Sequence, residues 1–178
     1  MKKILLLAVA SVIAVTACKK SVSGQTGQWT SNLNELAEAS GKYPNLKALL
    51  DAKATEAKAI FAEAEKISDE EQKAEKIAAA IAKLKENLGV VVEVKYKSQG
   101  IDSTIEKVTK IKTTKDKVKK AEAEIKAIRT EQDSIERAMQ ALKPANGEEL
   151  NSQVRELVGK LISLSGRADR VLKLVKGK

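Results

Sequence analysis

The chain has 178 residues, no histidine and a single cysteine, with 33 basic against 24 acidic side chains and a formal net charge of +9. One thiol without any imidazole excludes zinc sites of the Cys/His type, Ser-His-Asp and Cys-His nucleophiles, and an intrachain disulfide. Aromatic residues are only 2% of the chain against 32% charged, so a core must come from small and aliphatic side chains along narrow seams, which indicates long helices.

At the start, Lys2 and Lys3 precede an uninterrupted small-or-apolar stretch from Ile4 to Val15 that ends at Thr16 and Ala17, the pattern of a secretory signal peptide. A spanning helix needs roughly 20 apolar residues, so this run is too short to hold a membrane by itself. Cys18 follows at once. The residues Val15-Thr16-Ala17-Cys18 resemble the lipobox of bacterial lipoproteins, in which an aliphatic residue and two small ones precede the acylated cysteine.

That resemblance implies cleavage before Cys18, a diacylglycerol on its sulfur and a further acyl chain, such as palmitate, on the new amino terminus. Each buried methylene contributes about 0.8 kcal/mol, so two or three chains make a durable membrane anchor. Lys19, where an aspartate would signal retention, implies by the same resemblance an outer-membrane address, on the periplasmic face or the cell surface. The expected organisation is a signal peptide over 1–17, a lipidated flexible tether over 18–28 and a helical bundle domain over 29–178.

The tether sequence, Lys19 to Gln28, is polar and rich in Ser and Gly. Trp29, Leu33, Leu36 and Ser40 then recur at steps of four, three and four, predicting a short amphipathic helix that stops near Gly41. Pro44 suits the first turn of the next helix. Its apolar face runs through Leu46, Leu50, Ala57, Phe61 and Ala64, and resumes almost in phase at Ala74, Ile77, Ile81, Leu84 and Leu88. Between the two halves lies the capping pattern Ser68-Asp69-Glu70-Glu71, which either starts a new helix or sits inside a continuous one. The near-continuous seam favours one long helix from about 45 to 88.

Gly89 is expected to end that helix. The sequence "VVVEVKYK" that follows alternates Val92, Val94 and Tyr96 with Glu93, Lys95 and Lys97, the only strand-like stretch in the chain. A lone strand leaves both edges unpaired, so it is predicted as an extended turn closed by Gly100. A capping box at Ser103 and Glu106 opens the next helix, over 101–142, with a seam through Val118, Ala121, Ile125, Ile128, Gln132, Ile135, Met139 and Leu142. Asn146 and Glu149 cap the last helix, over 147–175. Its seam of Leu150, Val154, Leu157, Leu161, Leu164, Ala168, Val171 and Val175 requires a partner along its whole length. The predicted fold class is all-α, an elongated antiparallel three-helix bundle or coiled coil with a short extra N-terminal helix.

Charge is uneven along the chain. Residues 19–88 carry eleven basic and eleven acidic side chains, whereas 89–178 carry twenty and thirteen. A turn that sets residue 88 opposite 101 would put Lys53 near Glu136, and Asp69, Glu70, Glu71 and Glu75 beside Lys115, Lys117, Lys119 and Lys120. The last helix, running back, would add Arg167, Arg170, Lys173 and Lys176 to Lys110 and Lys112 in the same neighbourhood, forming a candidate anion-binding surface. It is expected about 35–40 Å along the bundle from the anchored end, at about 1.5 Å per helical residue.

No G-x-x-x-x-G-K-[ST] or G-x-G-x-x-G run marks a nucleotide site, and no catalytic group, metal site or cofactor is predicted. Nucleic acid is a poor partner for an envelope protein with almost no rings for base stacking. The leading function is a non-enzymatic, membrane-anchored lipoprotein whose bundle presents a protein- or polyanion-binding surface; it loosely resembles the helical surface lipoproteins of spirochaetes. The alternative is structural. A long helical lipoprotein ending in lysine resembles the major outer-membrane lipoprotein, which links outer membrane and peptidoglycan through that lysine. Here the end is Lys176-Gly177-Lys178, without the tyrosine-arginine pair of that family. A carboxylate-using hydrolase is the third class.

Overall fold

The computed structural model describes residues 21–177, so the lipobox and Cys18 lie outside the described residues. The described chain is an all-α helical bundle, as the composition indicates. It contains α1 (Val22–Lys42), α2 (Lys47–Ala64), α3 (Glu70–Thr109), α4 (Lys115–Ala141) and α5 (Gly147–Lys176), with a single 3-10 turn at Pro44–Leu46 between α1 and α2. Five helices thus stand where three long ones and a short one were expected.

The first difference lies at the entry. Residues 22–28, expected to be tether, are the first two turns of α1. The Ser21 hydroxyl caps the helix by accepting the Gly24 N–H at 3.2 Å, and the Thr26 hydroxyl donates to the Val22 carbonyl at 2.9 Å. Partly buried Val22 and buried Gln25, Trp29 and Asn32 recur at steps of three and four, so the helix has an inward face from its first turn. Two of those inward residues are polar, which hides the face from a hydrophobic pattern. The Asn32 amide is satisfied locally, donating to the Gln28 carbonyl at 2.7 Å.

The second difference is the break between α2 and α3. Two turn-type bonds, Lys66 N–H to the Glu63 carbonyl at 3.2 Å and Ile67 N–H to the Ala64 carbonyl at 3.1 Å, close α2. Asp69, rather than Ser68, caps α3 by accepting the Gln72 N–H at 2.8 Å. The chain then reverses, so that Lys76 pairs with Glu63 at 2.7 Å and Lys53 with Glu86 at 3.2 Å. Lys53 is therefore on the α2–α3 hairpin and not beside Glu136.

The third difference is the largest. The segment "VVVEVKYK" is the middle of α3, which runs for 40 residues without interruption. Val91 and Val94 are buried, and they join Leu84 and Leu88 before them and Ile101, Ile105 and Val108 after them in one seam at helical spacing. β-Branched residues lose only a few tenths of a kcal/mol in a helix, about the scale of one propensity step, whereas burial of a valine stabilises by roughly 1.5–3 kcal/mol. Burial wins. The actual break comes at residues 110–114, where Thr113 and Thr114 follow a lysine-rich stretch and Thr114 adopts the extended conformation of an N-cap.

α3 is the axis of the molecule. Along its first half it packs against α2, and α1 lies over both, with Trp29 stacked on Phe61 at a centroid distance of 4.6 Å. Along its second half it is flanked by α5 and α4, the latter reaching across through Gln132, whose amide donates to Ser98 Oγ at 3.1 Å. The two halves meet at a waist. There the Asn45 amide donates to the Met139 and Leu142 carbonyls, both at 3.0 Å, satisfying the end of α4 from the turn after α1. Glu136 accepts from the Tyr43 hydroxyl at 3.0 Å and pairs with Lys42 at 2.9 Å. Burial pushes the Tyr43 hydroxyl above its usual range.

One consequence can be measured. Gly100 is exposed within α3, and a β-carbon there would meet nothing within 4 Å. It occupies no turn, so Gly100→Ala is expected to raise stability by about 0.5–1 kcal/mol in urea unfolding. A destabilised variant would show that the glycine serves a bend.

Candidate functional site

The basic residues singled out in the sequence converge at one end of the bundle. Lys110 and Lys112 lie just past α3, Lys115, Lys117, Lys119 and Lys120 in the first turns of α4, and Arg167, Arg170, Lys173 and Lys176 in the last turns of α5. The antiparallel α4–α5 hairpin brings them together: Arg167 Nε donates to Glu124 at 2.7 Å, and a β-carbon at Gly177 would lie 3.4 Å from Lys117 Nζ. Gly177 ends α5 in the left-handed conformation, φ 74°, that favours glycine. The Lys117 ammonium thus lies over the negative pole of a helix.

The acids expected to neutralise these lysines are elsewhere. Asp69, Glu70, Glu71 and Glu75 cap and open α3, whose 40 residues span about 60 Å, while the lysine cluster begins where α3 ends. The reason is the α2–α3 hairpin, which ties the acidic stretch to α2 and leaves α4 to pack chiefly on α5, beside the other half of α3.

Within the basic end two members are occupied. Lys110 pairs with Glu106. Arg167 is held by Glu124 and Glu131, whose hydrogen bonds push the guanidinium further above its already high range. Lys112, Lys115, Lys119, Lys120, Arg170, Lys173 and Lys176 make no ion pair with any described acid. The surface between them includes the exposed apolar side chains of Val118 and Leu174. Ammonium groups on flexible stems supply donors and charge without planar geometry, so this end suits a diffuse anionic surface more than a shaped small molecule.

Sequence reasoning missed a second polar feature, a groove where α5 starts, lined by Lys53, Asn87, Gly147, Asn151 and Arg155 among others. Its only sequence signal is a polar residue, Asn87, beside the apolar seam of Leu84, Leu88 and Val91. Among the described residues there is no group of three or more metal-ligating side chains and no helix long and apolar enough to cross a membrane. Compared with known proteins, the chain matches no family model, no curated protein and no solved structure.

Proposed function

We propose that the chain is a non-enzymatic envelope lipoprotein, held in a membrane through lipid on Cys18, whose helical bundle presents a basic end to an acidic protein surface or an anionic polymer. The observation that carries this reading is the separation of charge. The acids of Asp69–Glu75 and the lysines of Lys110–Lys120 sit at opposite ends of α3, so the positive excess of the second half is not cancelled internally.

The direction of entry adds support. α1 starts at the end where α2 turns into α3, because Trp29 near its beginning stacks on Phe61 near the end of α2. A lipid on Cys18 is three residues from Ser21, the α1 cap. The basic end is then carried to the far end of the bundle, farther than the 35–40 Å expected from the sequence.

Heparin chromatography of the full chain in detergent tests the reading. The chain should be retained at low salt and released as the Debye length falls below about 8 Å. A variant with Lys117, Lys119, Arg170 and Lys173 changed to Gln should elute at clearly lower salt with an unchanged helical spectrum. Equal elution of the two proteins would reduce the lysines to a solvated helix face.

A further inference from the structure

The groove at the start of α5 is open, has a volume of roughly 950 Å³, and lies between α2, the middle of α3 and α5. Glu86 on its wall is already engaged, by Lys83 at 2.7 Å and Lys53 at 3.2 Å, and those cations hold its carboxyl below the usual range. Asn87 is different. It is only 3% exposed, yet its side-chain amide makes no hydrogen bond with any described residue.

Both ends of that amide lie over the first residue of α5, since a β-carbon at Gly147 would sit 2.7 Å from Asn87 Nδ2 and 2.7 Å from Oδ1. Any larger residue at 147 would displace the amide. An amide so nearly enclosed and without a protein partner gains little from the fold, its Nδ2 and Oδ1 keeping only a narrow contact with the groove that the fully enclosed Asn151 Oδ1 lacks, and the position adjoins an aliphatic seam where leucine, nearly the same shape as asparagine, would pack. The arrangement therefore has a use other than stability.

Its surroundings identify that use. In the first turn of α5 the Asn146 side chain accepts the Glu149 N–H at 2.9 Å and its carbonyl accepts the Leu150 N–H at 3.0 Å. The N–H groups of Gly147 and Glu148 have no acceptor within the helix. Arg155 follows on the same face as Gly147 and Asn151, at steps of four, and is exposed without an ion pair among the described residues. Two backbone donors and Asn87 Nδ2 thus meet at the positive pole of a helix, with Asn87 Oδ1 as an acceptor beside them and Arg155 on the groove wall about 12 Å further along α5. Glu148 and Glu156, which also line the groove, disfavour a second negative charge.

A single carboxylate at the end of a neutral chain meets all of these conditions. We propose that the groove captures the free C-terminal carboxylate of an extended peptide. The carboxylate sits on the N–H groups of Gly147 and Glu148 with Asn87 Nδ2 beside them, Arg155 neutralises its charge, and Asn87 Oδ1 accepts the last peptide N–H. Backbone capture of a terminal carboxylate is an established mode of peptide recognition. The site is separate from the basic end, and neither depends on the other.

The test is an NMR titration of the isotope-labelled full chain in detergent with N-acetyl-diglycine, its C-terminal amide, acetate and inorganic phosphate. The acid should shift the Gly147 and Glu148 backbone signals and the Asn87 side-chain signal saturably, with the amide, acetate and phosphate at least tenfold weaker. Asn87→Leu should abolish the response while raising the thermal midpoint by about 2–6 °C. Arg155→Gln, on an exposed side chain, should weaken binding at least fivefold without changing the midpoint. The proposal fails if the acid produces no saturable shift or if the amide, acetate or phosphate matches it. It also fails if Asn87→Leu still binds or lowers the midpoint, since the amide would then be serving the fold.

Discussion

Replacing Gln99 by proline is expected to destabilise the protein by about 3 kcal/mol or more, while Gln99→Ala should stay within roughly 0.5 kcal/mol of the parent. Gln99 is exposed and lies in the interior of α3, so the loss is one of backbone and not of side-chain packing. Proline removes the N–H that would bond to the Lys95 carbonyl, and its ring collides with that carbonyl. Around this point α3 is flanked by α4 and α5, and a kink would also misalign the buried Ile101 and Ile105. Urea unfolding followed by the helical signal measures the difference. Equal stability of the proline and alanine variants would restore the extended connection that the alternation of Val92, Val94 and Tyr96 suggests.

Trp29→Ala should cost about 3–5 kcal/mol, the range for deleting a large buried aromatic side chain. The ring is 6% exposed and lies nearly parallel to Phe61, with 10° between the planes. A double-mutant cycle with Phe61→Ala should return a coupling of about 0.5–1.5 kcal/mol, the part of the loss that belongs to the ring pair rather than to burial. Starting the chain at residue 29 is a milder version of the same change, removing Ser21 as cap and the turn that buries Gln25. Additive losses in the cycle would mean that the two rings are merely close.

How far the sequence could be read depended on whether one pattern or two fitted each stretch. α5 was fully legible: all eight predicted seam positions from Leu150 to Val175 are buried, and Asn146 caps the helix. Along α4 the seam held at Ala121, Ile128, Ile135 and Met139, while Val118 is exposed near the helix start. The middle of α3 failed because Leu88, Val91 and Val94 at helical spacing share residues with a period-two alternation, and Gly89 and Gly100 resemble punctuation. The α2–α3 turn was concealed by a seam that happens to continue in phase across it.

Those boundary errors propagated to the charges. The lysines and arginines of α4 and α5 lie near one another because that register follows from one short loop. Their assumed acidic partners depended on a turn at 89–100 that α3 runs straight through, so Lys53 and the Asp69–Glu75 acids moved to other neighbours. The Asn87 groove needed three elements in place at once, and no local pattern announces such a junction.

The shared central helix also sets how the molecule bears tension. The described chain begins at one end of α3 and finishes, in Gly177, beside the other. A load applied between those ends pulls α1 and α5 along their own lengths against α3, so whole seams must slide together before either helix leaves. A hairpin pulled at adjacent ends would instead open one contact at a time. This bundle is arranged as a lap joint in shear, and its resistance to extension rests on the long apolar seams more than on any single turn.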